Sequence, residues 1–315
     1  LERYAAIKFL GRHLTEDPVY VDMFLREAKA AAKLNHPGIV QIYDAGCVEG
    51  NCYYMIMEFI DGQDLKSILT EKKLFTVNEA VDYVLQSAAA LGYAHKHHII
   101  HRDIKPENLI LQRDGKLKVC DMGLAKRMGE DSSLTQSGLV LGSPNYIAPE
   151  RLRDPSCNDP RMDIYSLGAA FYHFVTGKLP YAGESAVVMA AHLNDLVPDP
   201  QEADPNLSDD ICKIIRKMMS KSPDQRYQTM EQVVVELTRY KRDGVHPSSA
   251  LLKMPTGVST AGRSSSSGQT AIRAGLKIRH KTDRKEAPDP FHASRAAALF
   301  KKVLGIAAAV LVIAA

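Results

Sequence analysis

Cysteine is scarce in this chain: five residues (Cys47, Cys52, Cys120, Cys157 and Cys212) among 315, odd in number and with no CxxC spacing. That excludes a disulfide framework or a cysteine-built zinc site and favours a reducing compartment. Charge of one sign is also lacking, with 40 Lys+Arg against 37 Asp+Glu, so a general affinity for nucleic acid is not expected. No apolar stretch follows the opening Leu1-Glu2-Arg3, which is no signal peptide, and there is no internal repeat. The longest uncharged apolar run at the C-terminal end, Val303–Ala315, extends ~20 Å as a helix, short of a hydrocarbon core of about 30 Å.

Neutrality on average hides an asymmetry. Residues 244–302 hold 11 Lys/Arg and 3 Asp/Glu, leaving 29 basic against 34 acidic residues for the rest. That basic stretch is rich in Ser, Gly and Pro, includes Ser264–Ser267, and has no periodic apolar positions. It cannot bury enough surface to offset chain entropy and is expected to be a disordered linker. Residues 1–243, by contrast, alternate strand and helix patterns. Ala5–Leu10, Ile39–Tyr43 and Cys52–Phe59 read as strands, and Val21–Leu34 as a helix. From Thr76 onward the pattern is mainly helical. Thr76-Val77-Asn78-Glu79 and Thr229-Met230-Glu231-Gln232 are capping boxes, and Ser208 is a further N-cap. Ile164–Val175 is apolar almost all round and predicts a buried central helix ending at Gly177.

One hairpin organises the chemistry. Leu109–Leu111 and Lys116–Val119 flank the turn signal Asp114-Gly115, which sets Asn108 and Asp121 side by side at the hairpin's open end. An amide oxygen and a carboxylate so placed suit a shared hard cation.

His101-Arg102-Asp103-Ile104-Lys105-Pro106-Glu107-Asn108 resembles the catalytic loop of protein kinases. Asp121-Met122-Gly123 resembles their metal-binding DFG motif, Ala148-Pro149-Glu150 their APE motif, and Ala5-Ala6-Ile7-Lys8 their VAIK strand. Asp163 and Arg226 extend the likeness to about residue 240. The resemblance is to eukaryotic-like bacterial serine/threonine kinases of receptor type. It implies an α+β, two-lobed fold: residues 1–60 a small β-rich lobe, truncated, and residues 61–243 a larger, mainly helical lobe. Residues 244–302 would be the juxtamembrane linker and 303–315 the start of a truncated transmembrane helix.

The implied activity is transfer of the γ-phosphate of ATP, with Mg²⁺, to Ser or Thr hydroxyls of proteins. By that resemblance Asp103 handles the acceptor hydroxyl's proton, Lys105 reaches the transferring phosphate, and Asn108 and Asp121 hold the metal. Lys8 grips the α- and β-phosphates, with Glu27 fixing its direction, while Glu58 and Ile60 belong to the adenine-binding hinge. Glu27 has a competing reading, a solvated charged face shared with Arg26, Lys29 and Lys33. Asp163 would brace the catalytic loop, Glu150 and Arg226 form a buried ion pair, and Arg102 contact an activating phosphate. Thr135 and Ser137 are the expected autophosphorylation sites, against the alternative of a merely polar loop; Ser143 would brace the acceptor site. Implied partners are protein substrates, a second copy for trans-autophosphorylation, and the cell membrane, crossed once with the kinase domain cytoplasmic. The alternative for the last segment is a buried helix of another soluble domain.

Two features depart from the family pattern. Only seven residues precede Lys8, and no GxGxxG lies among them, so weak nucleotide affinity is expected of residues 1–315 alone. Met122 stands where the family has Phe, a substitution of similar reach that preserves packing. Rivals from other classes are a pseudokinase scaffold, which should lack Lys8, Asp103 or Asp121, and a small-molecule phosphotransferase, which needs no long hydroxyl-bearing segment before Ala148-Pro149-Glu150.

Overall fold

The computed structural model describes residues 4–48, 52–122, 144–243 and 312–314. Three antiparallel strands, β1 (Ala5–Phe9), β2 (Ile42–Val48) and β3 (Cys52–Glu58), build a small sheet in the order β2-β3-β1, with Lys8 opposite Met55. Helix α1 (Pro18–Ala31) packs on β2. It begins where Asp17 accepts from the Val19 amide and Pro18 supplies a preset φ at a position that has no helical hydrogen bond to lose.

The strand expected at Ile39–Tyr43 begins later. Segment 38–40 is bonded away from the sheet: Val40 N donates to Val119 O at 2.9 Å, and Val119 N to Gly38 O at 2.8 Å. Those backbone groups are engaged by the other lobe, so β2 starts only at Ile42 and bulges before Asp44.

The larger lobe opens with β4 (Gly62–Asp64) and α2 (Leu65–Lys72), followed by α3 (Val77–Lys96). The first capping box is complete: Glu79 N donates to Thr76 Oγ1, and Thr76 N to Glu79 Oε2 at 2.9 Å. Strands β5 (Leu109–Gln112) and β6 (Leu117–Val119) pair antiparallel, with Leu109 opposite Val119, and β4 adds to the other edge of β5. Gly115 turns the hairpin at φ 81°, a conformation that would strain a Cβ-bearing residue.

The short α4 (Pro149–Arg153) precedes α5 (Arg161–Thr176), the buried central helix the apolar run predicts; every residue after Arg161 is buried. Gly177 closes it in the left-handed conformation. Midway, Gly168 faces the helix Asp209–Met218 so closely that a Cβ there would lie 2.7 Å from Met218 Cβ. The remaining helices are α6 (Ser185–Asn194), α7 (Pro200–Ala203), α8 (Asp209–Met218) and α9 (Met230–Asp243). Ser208 caps α8 as expected. The second box is only half formed, because Gln232 Oε1 accepts from Gln228 N at 2.7 Å and not from Thr229.

The fold is thus α+β, with a small sheet bearing one helix and a larger helical body. The ion pair foreseen between Glu150 and Arg226 joins α4 to the loop before α9. The two terminal guanidinium nitrogens each bond one carboxylate oxygen, at 2.6 and 2.7 Å, on an arginine side chain with no exposure. Its remaining donors meet the carbonyls of Ser220 and Arg161. Among the described residues no helix is long and apolar enough to cross a membrane. Of the expected helix 303–315 only Val312–Ala314 are described, and they form not a helix but a short strand, β7, parallel to β1. Its backbone satisfies part of the β1 edge, whose peptide groups would otherwise face no partner strand.

Removing one member of a buried, bidentate pair strands the other's charge. Glu150→Ala is therefore expected to cost roughly 3–5 kcal/mol in denaturant unfolding, whereas a surface pair such as Lys96–Glu231 should cost no more than about 1 kcal/mol.

Candidate active site

The turn that carries Asp103 is held from below. Asp163, near the start of α5 and without solvent exposure, accepts from His101 N at 2.9 Å, from Arg102 N at 2.8 Å and from His95 Nε2 at 2.8 Å. Burial alone would raise its pKa; the His95 hydrogen bond and the His101 contacts outweigh that and hold it below the ordinary value. Arg102 adopts φ 67°, a left-handed turn that those two amide bonds stabilise. His101 is fixed as well. Its Nδ1 accepts from Asp103 N at 3.2 Å, so the ring proton sits on Nε2 and points to Cys120 O at 2.8 Å. One imidazole thus ties the Asp103 turn to the strand end that carries Asp121.

Asp103 is paired with Lys105, Nζ to Oδ2, at 2.7 Å. Its burial favours the neutral acid, but Lys105, then His101 and Arg151, pull the pKa down, so the carboxyl stays ionised. Burial disfavours the Lys105 ammonium in turn, yet Asp103 raises its pKa overall. Asn108 donates its amide to Asp103 O at 2.7 Å and lies 3.3 Å from Oδ2. With the NH₂ so engaged, the amide oxygen is left as a ligand atom for a cation. Across the hairpin's mouth Cys120 N donates to Asn108 O at 3.0 Å, which keeps Asn108 and Asp121 adjacent, as their spacing predicted. A carboxylate and an amide oxygen, both hard donors, fit Mg²⁺ completed by phosphate and water. Among the described residues no cluster of three or more His, Cys, Asp or Glu offers a self-sufficient metal cage.

Lys8 departs from expectation. Its ammonium bonds Asp121 Oδ2 at 3.0 Å, not Glu27. The left-handed backbone of Asp121, φ 57°, brings its carboxylate to the lysine on β1, and opposite charge completes the pair. Glu58 spends its side chain on structure: Oε2 accepts from Lys118 Nζ at 2.8 Å and from Gln41 N at 3.2 Å. Its amide is taken by Gln41 O, so the carbonyl is the hinge atom it retains for a base.

Lys8, Glu58, Asn108 and Asp121 line one cleft of about 460 Å³ that also includes Ile60, and Asp103 adjoins it through Asn108. Its apolar walls are Ala6, Val40, Met57 and Ile110, residues that in sequence look like ordinary core positions. Cys120 lines the cleft too, and burial pushes its thiol pKa up, which disfavours the thiolate. Met122 is buried, in keeping with a packing role in place of Phe. Arg102 bonds the Asn158 side chain. Thr135, Ser137 and Ser143 lie outside the described residues.

The segment after Ser143 runs close to the catalytic loop. Arg151 lies near enough to Asp103, and Glu107 to Tyr146, for their charges to be felt. Tyr146 is anchored on α5 through a 2.7 Å contact between its hydroxyl and His173 Nδ1. A second pair, Tyr165 and His192 Nδ1, lies 2.8 Å apart between α5 and α6. Sequence reasoning passes over both histidines, because an isolated His in an apolar helix carries no motif.

A protein kinase domain family model matches residues 2–236. The chain is 38% identical over 247 residues to a probable serine/threonine-protein kinase of Clostridium acetobutylicum, covering 78% of this chain and 37% of that protein. It is 36% identical over 243 residues to the serine/threonine-protein kinase PknB of Mycobacterium leprae (76% and 39%). The PknB of Mycobacterium tuberculosis H37Ra gives 36% over 244 residues, with the same coverage. The chain therefore spans under two fifths of the length of these relatives.

Burial depresses the pKa of both His173 and His192 to about 4, helped by the charges of Lys66 and Lys221 respectively. Such rings stay neutral in the fold but protonate in the unfolded chain near pH 6.5. Stability is accordingly full above about 6.5 and falls as the pH drops toward 4, by about 2 kcal/mol per ring at pH 5. Thermal unfolding between pH 7 and 5 should reveal this loss, and replacing both histidines by Gln should flatten it.

Proposed function

Because the chain belongs to the protein kinase family, we propose that the protein of which it is part transfers the γ-phosphate of ATP to Ser and Thr hydroxyls of proteins. The observation that carries this reading is the gathering of Lys8, Asp103, Lys105, Asn108 and Asp121 around one cleft mouth, with Asp103 held ionised.

The cleft's apolar walls suit a purine, and the hinge at Glu58–Ile60 offers backbone groups to its edge. Lys8, at the inner end, meets the α- and β-phosphates, which displace Asp121 as its counter-charge. Asp121 and Asn108 would then hold Mg²⁺. When bound, the ion neutralises charge on the phosphate oxygens.

Asp103 accepts a hydrogen bond from the acceptor hydroxyl, aligns its oxygen with the γ-phosphorus and takes its proton as the new P–O bond forms and the bond to the β,γ-bridging oxygen breaks, with ADP as the leaving group. Lys105 stays beside Asp103 and offers positive charge to the phosphoryl oxygens in flight. That constellation supports an enzyme over a scaffold, which has no use for an ionised, lysine-paired Asp103.

The finer reading extends to regulation and place. Thr135 and Ser137 are autophosphorylated, one copy acting on another. In the full-length protein the apolar run 303–315 would leave the β1 edge, where Val312–Ala314 pair as β7, and enter a membrane-crossing helix, with Lys301-Lys302 and the basic linker on the cytoplasmic side. What supports the last point is the charge distribution alone.

In the full-length protein, Asp103→Asn should lower phosphate transfer by roughly 10²–10⁴-fold while ATP binding changes by less than about threefold. Phosphosite mapping should find label on Thr135 or Ser137 in the parent and none in the variant; an active parent unmodified at both would reject the self-switching part. Alkaline carbonate washing of membranes should leave the full-length protein in the pellet. Complete release would exclude the spanning helix.

A further inference from the structure

His192 is the one buried side chain among the described residues with a ring nitrogen, Nε2, that lacks a hydrogen-bond partner. A buried donor left open is costly, so its surroundings matter. The ring has no exposure and sits in the last turn of α6.

Its other nitrogen is spoken for. Lys221 gives its three ammonium protons to Tyr181 Oη, Ala191 O and His192 O and stands 3.5 Å from the Tyr165 oxygen, so its charge turns the Tyr165 proton away from it, toward His192 Nδ1, 2.8 Å away. That leaves the ring proton on Nε2. The backbone of Asn145 lies beside this edge of the ring, short of full hydrogen-bond geometry.

The turn that carries His192 is itself braced. Lys221 Nζ donates to Ala191 O at 3.0 Å and to His192 O at 2.8 Å. Arg153, from α4, donates to Leu193 O at 3.4 Å. The end of α6 is thus fixed to the chain on the C-terminal side of segment 144–148, while Tyr146 fixes the middle of that segment to α5. The nucleotide cleft takes none of its lining from this segment. Tyr146 in this segment and Arg151 just after it lie within charge range of Glu107 and Asp103 respectively, so among the described residues the segment is a wall that an acceptor can meet beside Asp103.

The geometry points to His192 as a positioning residue: its Nε2–H closes on the Asn145 carbonyl when an acceptor loads segment 144–148, so that it tunes acceptor binding and not ATP binding. This rests on the kinase reading.

The test uses the full-length protein with dephosphorylated casein as acceptor. His192→Phe keeps the volume and removes the donor. His192→Gln carries an amide NH₂ near the Nε2 position, and His192→Asn carries one nearer Nδ1. Phe and Asn should raise the KM for casein about tenfold, the worth of one buried hydrogen bond, with the KM for ATP within about twofold; Gln should stay within about threefold of the parent. Should the Phe variant fail to fold by thermal melting, the Gln–Asn contrast alone decides. Equal behaviour of the variants, or losses that fall alike on kcat and on the KM for ATP, would overturn the assignment. Transfer by the parent that is indifferent to His192 overturns this inference alone, whereas no transfer by the parent overturns the kinase reading with it.

Discussion

A single buried carboxylate underlies the rest of this structure. Asp163 accepts two consecutive backbone amides of the catalytic turn and one histidine side chain, and no solvent competes for it. Without those bonds the left-handed turn at Arg102 would have little to maintain it, and Asp103 would have no fixed direction. The carboxylate is itself positioned by α5, whose burial on nearly every side makes it the least movable element available. Rigidity passes from the hydrophobic core to the backbone of a loop, and from there to a side chain at the surface of a cleft.

Opposite charges in that cleft are matched before any substrate arrives. Lys8 pairs with Asp121 and Lys105 with Asp103, so these four side chains meet as two opposite-charge pairs in a half-buried site. Desolvating any of them alone would be costly; in pairs the cost is offset. The two pairs are built differently. Lys105 and Asp103 are neighbours on one loop, whereas Lys8 and Asp121 come from different lobes, so only the second pair separates without breaking a local contact. Around α5 the polar contacts are of another kind, the Tyr146–His173 and Tyr165–His192 pairs, whose rings burial keeps uncharged.

Sequence signals are legible where the physics is local. The Asp114-Gly115 turn, the Thr76–Glu79 box, the Ser208 cap and the end of α5 at Gly177 each depend on residues within a few positions of one another. They mislead where distant groups compete for the same atoms. Ile39–Tyr43 has strand composition, but Val119 takes its hydrogen bonds. Gln232 could cap Thr229, but Gln228 lies within its reach. Glu27 stands at the expected interval after Lys8, yet Asp121 takes the ammonium.

The sequence by itself determined the candidate residues, because phosphoryl transfer needs particular functional groups at particular spacings, and Asp103, Lys105, Asn108 and Asp121 stand at those spacings along one short stretch. It also determined the alternation of a strand-rich opening and a helical remainder, since hydrophobic period is a local property. Only the tertiary structure decided the pairing of Lys8, the apolar walls of the cleft at Ala6, Val40 and Ile110, and the burial that keeps His173 and His192 neutral. Each of these depends on which elements meet in space, and a residue's charge partner or desolvation is a property of its neighbours and not of its own side chain.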